Sequence, residues 1–432
     1  MNKIRKFRES VWYMMNITKR KLWLFFLWAL LFLVQNWLQQ YSSLFQYVDE
    51  LYALTIIPAL GVYFVKKKEK PMWTKDNIIF VFLLLLFWAC GWGGYFRYRY
   101  QPFVNVVKDA YVNLKFFMAL GASFLMFYDE QVDFDKMKER IWPVLNAITM
   151  ILFVLCLADL CFGIFSTETR GGLRAVKLFY SAYTILVGHC VFLSAMYLCF
   201  FEKKTKQIIW PLLMLSFVML STRRVKAMGA AAGIVLIYLL VFYGGKKISK
   251  KIKVFCGGVL VAALAAALFQ IVSYYYTMGV ASARAVLTIG GPFVAMDHFP
   301  TGSGWATYGS TFSTDPYSPV YGMYRMAGVW GISPDYHDFV SDTFWPMIMG
   351  QCGFFGFFAY VGVVILLFRK VMKLKYNKSG FAAAIFPLLY LLISSSSESA
   401  FANPMAVPMA FWIGFLLAEH KVFEKRKQEI EQ

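Results

Sequence analysis

Three stretches of this chain carry residues whose types and spacing suit chemistry on an anion and a hydroxyl. The first is STRRVKAMG, 221–229, in which Arg223, Arg224 and Lys226 fall within four residues at a tight turn. Guanidinium groups present a planar fork that matches phosphate oxygens in pairs. A helix starting at this turn would add the positive potential of its free N–H groups. An ordinary basic hairpin tip is the plainer alternative. The second is Arg284, followed by FPTGSGWATYGS, 299–310, where Gly302, Gly304 and Gly309 permit close approach of a backbone to a ligand. The third is PDYHDFVSDTFWPMIMGQCGFFG, 334–356, with Asp335, His337, Asp338 and Asp342 ahead of an apolar run. A histidine or carboxylate there can take a proton from a hydroxyl. Ser341 or Asp342 capping a following helix is the structural alternative.

The elements that must position these groups follow from composition. Of 432 residues, 59% are hydrophobic and 16% charged, against about 45–50% and about 25% in soluble domains. Nearly uncharged runs of ~20 residues, the length that crosses a bilayer, recur down the whole chain. A soluble enzyme, a disordered chain and a disulfide scaffold are excluded. The pattern predicts an all-α polytopic membrane protein with about 12 transmembrane helices, at 22–38, 51–65, 77–96, 103–126, 141–165, 180–201, 207–221, 227–243, 254–276, 340–368, 380–397 and 404–418. The division is a basic interfacial helix over 1–21, helices 1–9 over 22–276, a large loop over 277–339, helices 10–12 over 340–418 and a tail over 419–432.

A net charge of +20 raises nucleic acid as a partner, but its distribution argues against one. Thirty-two of the 44 basic residues lie in the N-terminus, 66–70 and its flank, 129–140, 203–206, 246–253, 369–378 and the tail. These are alternate loops, so the positive-inside rule puts both termini in the cytoplasm and the 277–339 loop outside. Of those 32, 26 are Lys, whereas the opposite side carries Arg97, Arg99, Arg170, Arg174, Arg223, Arg224, Arg284 and Arg325. A phosphate-bearing ligand is one reason to keep arginines there. Contacts with lipid headgroups and loop acids are another.

Other features are narrower. The 277–339 loop is rich in aromatics and glycine, unlike a flexible tether, and 281–296 reads as a short helix lying in the interface. Charges within spans default to paired or functional roles: Lys108 and Asp109, an ion pair or a site near one membrane surface, with Lys115, Asp159 and Glu398. His189 reads as an interhelical hydrogen-bonder. The seven cysteines fall in or at the edges of spans without CxxC spacing and read as packing residues. No His/Cys metal site and no cofactor is expected.

The three chemical stretches together resemble the O-antigen ligase and polymerase (Wzy) superfamily of bacterial glycan assembly. The matching elements are TRRVKAMGAAAG, then Arg284 with HFPTGSG, then DTFWPMIMGQCGFFG with Gly353 and Gly356. The resemblance covers about 220–360; before residue 200 it extends only to the pattern of spans. There is one departure. Counting back from Gly353, the family's histidine position holds Asp342, and His337 lies five residues earlier.

The resemblance implies a GT-C-like fold in the cytoplasmic membrane of a bacterium. It implies inverting, metal-independent transfer of glycan from an undecaprenyl-pyrophosphate-linked oligosaccharide to a sugar hydroxyl on the extracytoplasmic face. Arg223, Arg224, Lys226 and Arg284 would hold the pyrophosphate, and His337 or Asp342 would be the base. Lys108, Asp109, Trp305, Tyr308, Tyr321 and Asp338 are candidate substrate contacts, the aromatics through stacking on sugar faces. Membrane lipid, a flippase and a chain-length regulator are the expected partners. An O-antigen ligase with another acceptor, or a lipid-linked oligosaccharide flippase, is the alternative.

Overall fold

The structure, a computed structural model, describes residues 2–65, 74–129, 132–242 and 272–431, with a few positions between 254 and 269. Side chains are described there except at 2–19, 240, 242 and 274–276. The basic stretches 66–70 and 246–253 and most of the predicted ninth span lie outside the described residues.

The described chain is almost wholly helical. In order it forms α1 (Asn2–Leu38), α2 (Val48–Leu54), α3 (Ile56–Val65), α4 (Lys75–Tyr98), α5 (Phe103–Phe127), α6 (Phe134–Phe162), a hairpin β1 (Thr169–Arg170) and β2 (Leu173–Arg174), α7 (Tyr183–Leu198), α8 (Phe201–Ser221), α9 (Val225–Ile237), α10 (Ala283–Asp297), α11 (Pro319–Met323), α12 (Trp345–Met372), α13 (Lys378–Ser394) and α14 (Ala406–Glu431). Eleven of the twelve predicted spans fall on these helices. Among the described residues, seven segments are long and apolar enough to cross a bilayer: Arg20–Leu38, Ser43–Val65, Lys75–Tyr98, Phe103–Phe127, Phe134–Phe162, Trp345–Tyr376 and Ala406–Glu431. α7, α9 and α13 are apolar but shorter. The chain is thus an all-α polytopic membrane protein. A separate helix over 1–21 is not formed, because neither Gly nor Pro interrupts 2–38 and α1 runs through.

Helix ends sit where local chemistry stops them. The Thr74 hydroxyl accepts from the Asn77 N–H ahead of α4, Asp133 accepts from the Lys136 N–H at 3.0 Å ahead of α6, and Asn377 accepts from the Gly380 N–H at 2.9 Å ahead of α13. Gly163 ends α6 at φ +67°. Central in the bundle is α14, whose residues Ala406–Ala418 are all buried. It packs against α5, where a Cβ on Gly414 would stand 2.5 Å from the Leu120 carbonyl and Ser123 donates to the Phe411 carbonyl at 2.6 Å.

One ionic cluster lies inside this packing. Lys115 on α5 is 2.6 Å from Asp49 and 3.4 Å from Glu50 on α2, and Lys115 and Asp49 are both buried. An ammonium and a carboxylate without water hold each other in place, and removing one strands the other. Lys115→Met is expected to destabilise the fold by about 3–5 kcal/mol, with partial recovery on adding Asp49→Asn. Thermal unfolding in detergent measures both; an unchanged melting temperature for Lys115→Met would show the pair dispensable.

Lysine-rich segments gather at one end of the bundle, joined by Lys21–Asp129, Lys203–Asp135 and Lys373–Asp76 at 2.9, 3.0 and 3.3 Å. The 163–182, 221–225, 277–344 and 395–405 connections gather at the other, where they enclose a cavity.

Candidate functional site

That cavity has a volume of about 970 Å³. Its wall includes Arg170 and Tyr183, the 223–226 turn, Arg284, Ser310–Phe312, Trp330, Asp338, Asp342 and the 397–404 connection. Residues from all three chemical stretches, far apart in sequence, therefore face one space.

The glycine-rich stretch reaches the site by folding into the bundle. Residues 299–305 insert between α4 and α12. The Ser303 and Gly304 N–H groups donate to the Gly350 and Gln351 carbonyls, both at 2.9 Å. Those carbonyls are available because α12 is broken at Gly353, at φ +64° and ψ −174°. Non-helical backbone at this depth is tolerated when protein satisfies it. Gly302 and Gly304 thus allow approach to helices, not to a ligand. A Cβ on Gly94 of α4 would lie 2.5 Å from the Gly304 nitrogen and 2.6 Å from the Gly302 carbonyl. Gly94→Ala is expected to cost about 1–3 kcal/mol through overpacking, read as a lowered melting temperature; wild-type stability would show that the insert yields freely.

The predicted aromatic contacts change accordingly. Trp305, Tyr308 and Tyr321 are fully buried and absent from the cavity wall. Trp305 packs edge-on against Phe87, Tyr308 donates to the Leu287 carbonyl at 2.7 Å, and the Tyr321 hydroxyl accepts from the Gly309 N–H at 2.8 Å. They are the core of the inserted loop and present no ring face to a sugar. Among the rings on the wall is Trp330, 63% exposed and stacked on Tyr336. α10 forms where the sequence predicts a short helix. Its Gly291 side abuts Pro346, while Ile289, Phe293 and Met296 remain exposed.

Lys108 and Asp109 part company. Lys108 is exposed and off the cavity wall. Asp109 is buried and accepts from the Ala306 N–H at 2.6 Å, the Ser310 hydroxyl at 2.7 Å and the Asn113 amide at 3.2 Å. It reaches the wall but its oxygens hold the 306–310 turn. His189 is buried and hydrogen-bonded to the Tyr180 hydroxyl, which lies on the connection ahead of its own helix and not on another helix as the sequence predicts. Cys90, Cys156, Cys190, Cys199 and Cys352 are buried as expected, whereas Cys161 is exposed and Cys256 lies outside the described residues.

The cations divide into two sets. Lys226 is 3.1 Å from Glu398, and its ammonium also donates to the Ser397 carbonyl at 3.2 Å. Arg284 donates to one oxygen of Asp342 through Nε at 3.1 Å and Nη2 at 2.8 Å. These two pairs are electrostatically linked across the cavity. On the other side, Glu168 is shared by Arg170 at 2.6 Å and Arg224 at 3.8 Å, and Arg224 lies over the Tyr183 ring. A hydrogen bond from Tyr183, reinforced by Arg170, holds the Glu168 carboxyl below its ordinary range. Arg223 sits in the left-handed region at φ +56°, where the turn is tightest, and its Nε is buried with no hydrogen-bond partner among the described residues. Arg224 is the N-cap of α9 and makes no side-chain cap. Three arginines and one carboxylate leave this side positive, beside a helix N-terminus that adds to the effect.

Of the two base candidates, only Asp342 faces the cavity. His337 turns away, its Nδ1 against the Pro334 carbonyl at 3.2 Å. Burial raises the Asp342 carboxyl above its ordinary range, and the Arg284 charge offsets this only in part. Neither Ser341 nor Asp342 caps α12, whose N-cap is Phe344 with Pro346 in its first turn. Asp338 is exposed at the rim. Another predicted outer arginine serves the fold. Arg174 donates to the Asp159 and Leu160 carbonyls at 2.8 and 3.2 Å, closing α6.

Two parts of the wall lie outside the three chemical stretches, and in them the sequence points only to single charges such as Arg170 and Glu398. One is the β1–β2 hairpin, fastened by the Val176 N–H to the Ser221 carbonyl at 2.9 Å. The other is SSSSES, 394–399, whose Ser399 N–H and hydroxyl both donate to the Ser341 carbonyl at 3.1 Å. A run of serines and one glutamate between two apolar helices is the signal that could have found the second. Among the described residues no group of three or more His, Cys, Asp or Glu is placed to hold a metal ion. No protein-family model matches the chain, and no curated protein is significantly similar to it.

Proposed function

We propose that the chain is a membrane glycosyltransferase that joins undecaprenyl-pyrophosphate-linked oligosaccharides into capsular, exopolysaccharide or O-antigen chains. The observation that carries this reading is the meeting, in one cavity, of an arginine cluster at a helix N-terminus with the half-buried Asp342 carboxylate. The arginine side suits a diphosphate, which presents several oxygens to planar donors. The Asp342 side suits a hydroxyl that must lose a proton.

In the reaction, an acceptor hydroxyl oxygen bonds to the anomeric carbon of the donor sugar as the bond from that carbon to the diphosphate oxygen breaks. The electron pair leaves with the diphosphate. The hydroxyl proton passes to Asp342. Arg223, Arg224 and Lys226 stabilise the charge that grows on the leaving group. Attack opposite the leaving diphosphate inverts the anomeric centre. The prenyl tail lies among the apolar helices. Trp330 supplies an aromatic face to a sugar ring. With the lysine-rich end in the cytoplasm of a bacterium, the cavity opens on the extracytoplasmic side, where a flippase delivers the donor and a chain-length regulator limits the product.

The test is incubation of purified protein in detergent with polyprenyl-pyrophosphate oligosaccharide. A ladder of products at repeat-unit spacing is expected. Binding without any joined product would instead make the protein a carrier of such lipids.

A further inference from the structure

We propose that Glu398 is an exchangeable counter-ion for Lys226: it neutralises the lysine until the donor's diphosphate displaces it, and then faces the acceptor sugar as a hydrogen-bond acceptor. The idea rests on the glycosyltransferase reading above and adds an order of binding to it.

Four observations support the exchange. Lys226 and Glu398 are each only 15% exposed, so an unpaired charge at either would be costly. Among the described residues no second carboxylate lies within bonding distance of Lys226; the ammonium's other contact is the Ser397 carbonyl, a neutral acceptor. Lys226 lies in the first turn of α9, two residues after Arg224 and three after Arg223. An anion drawn to the arginines therefore arrives beside the lysine. Finally, Glu398 sits on a connection rather than within a helix, between α13 and α14, and that connection is tied to the Asp342 segment through Ser399 and Ser341. A carboxylate released from Lys226 stays on the wall next to the proposed base.

The physical logic is competition. A diphosphate that takes Lys226 must displace Glu398, so apparent affinity is the intrinsic affinity multiplied by the fraction of molecules in which the pair is open. Removing the carboxylate charge removes the competitor. This predicts an unusual sign: a substitution in a binding cavity that tightens the ligand. Donor binding then precedes acceptor binding, because the acceptor's partner is occupied until the diphosphate arrives.

The probe is farnesyl pyrophosphate, a short prenyl diphosphate without sugar, titrated into the full chain in detergent with chelator present. Wild type is expected to bind it. Glu398→Gln and Glu398→Ala are expected to bind it about five- to tenfold more tightly, of the order of 1 kcal/mol, and Lys226→Met more weakly. In polymerisation assays, Glu398→Gln should raise the KM for acceptor. Misfolding cannot produce a tighter complex, and two variants guard against failure of either one. If wild type binds and neither Glu398 variant binds more tightly, the exchange is overturned while the diphosphate site stands. If neither wild type nor the variants bind, the diphosphate site itself falls and the exchange falls with it.

Discussion

Asp342→Asn is expected to abolish chain extension, whereas His337→Ala leaves it near the wild-type rate. Loss of a positioned general base costs about 10²–10⁴-fold, and the asparagine cannot accept the acceptor's proton. Its shape is close to that of aspartate, so it can still receive the Arg284 hydrogen bonds now made at 2.8 and 3.1 Å. The variant should therefore fold and bind donor while failing to turn over. His337 holds a loop carbonyl outside the cavity, and its removal touches nothing in the proposed reaction. The pH dependence carries the same signature. Asp342 must be ionised to act, and its carboxyl is raised by burial. The rate should fall as pH drops through that raised value, at a higher pH than an ordinary carboxylate would give. Residual activity in Asp342→Asn should lack this acidic limb. Normal turnover in Asp342→Asn with loss in His337→Ala would reverse the assignment.

Arg223→Ala has the second-largest expected effect. Arg223 is a cavity arginine whose Nε is buried without a hydrogen-bond partner among the described residues. A buried donor left unpaired is unfavourable, so a ligand that supplies an acceptor there gains more than at an arginine already paired. Removing a charged donor aimed at developing negative charge costs roughly 10²–10³-fold in kcat. Arg223→Lys should recover little, because an ammonium does not reproduce the planar fork. Since the turn residue has φ +56°, Arg223→Gly separates the two roles: glycine relieves the backbone but cannot bind the anion. Chain extension by Arg223→Gly at the wild-type rate would remove Arg223 from the diphosphate site.

Much of the architecture is legible in the amino-acid sequence. Twenty-residue apolar runs must become helices in lipid, since no other continuous segment satisfies its own backbone, and eleven of the twelve predicted spans fall on helices. The arginine turn and the late acidic stretch are legible because their residue types are unfavourable in apolar surroundings and demand a reason. Local appearance misleads elsewhere. HFPTGSGWATYGS has the composition of a ligand loop, yet its glycines serve contact with Gly94 and with the broken helix at Gly353. Asp49 and Glu50 look like ordinary acids ahead of a span, and only α5 passing alongside makes them partners of Lys115.

The sequence by itself determined the class of protein, the positions of most helices and the side on which lysines gather, because hydropathy and charge act on each segment without reference to its neighbours. Only the tertiary structure decided that Arg223, Arg284, Asp342 and Glu398 share one cavity while His337 and Trp305 do not. Which side chains meet depends on how helices far apart in the chain pack, and on which way each loop residue turns once its backbone has found partners.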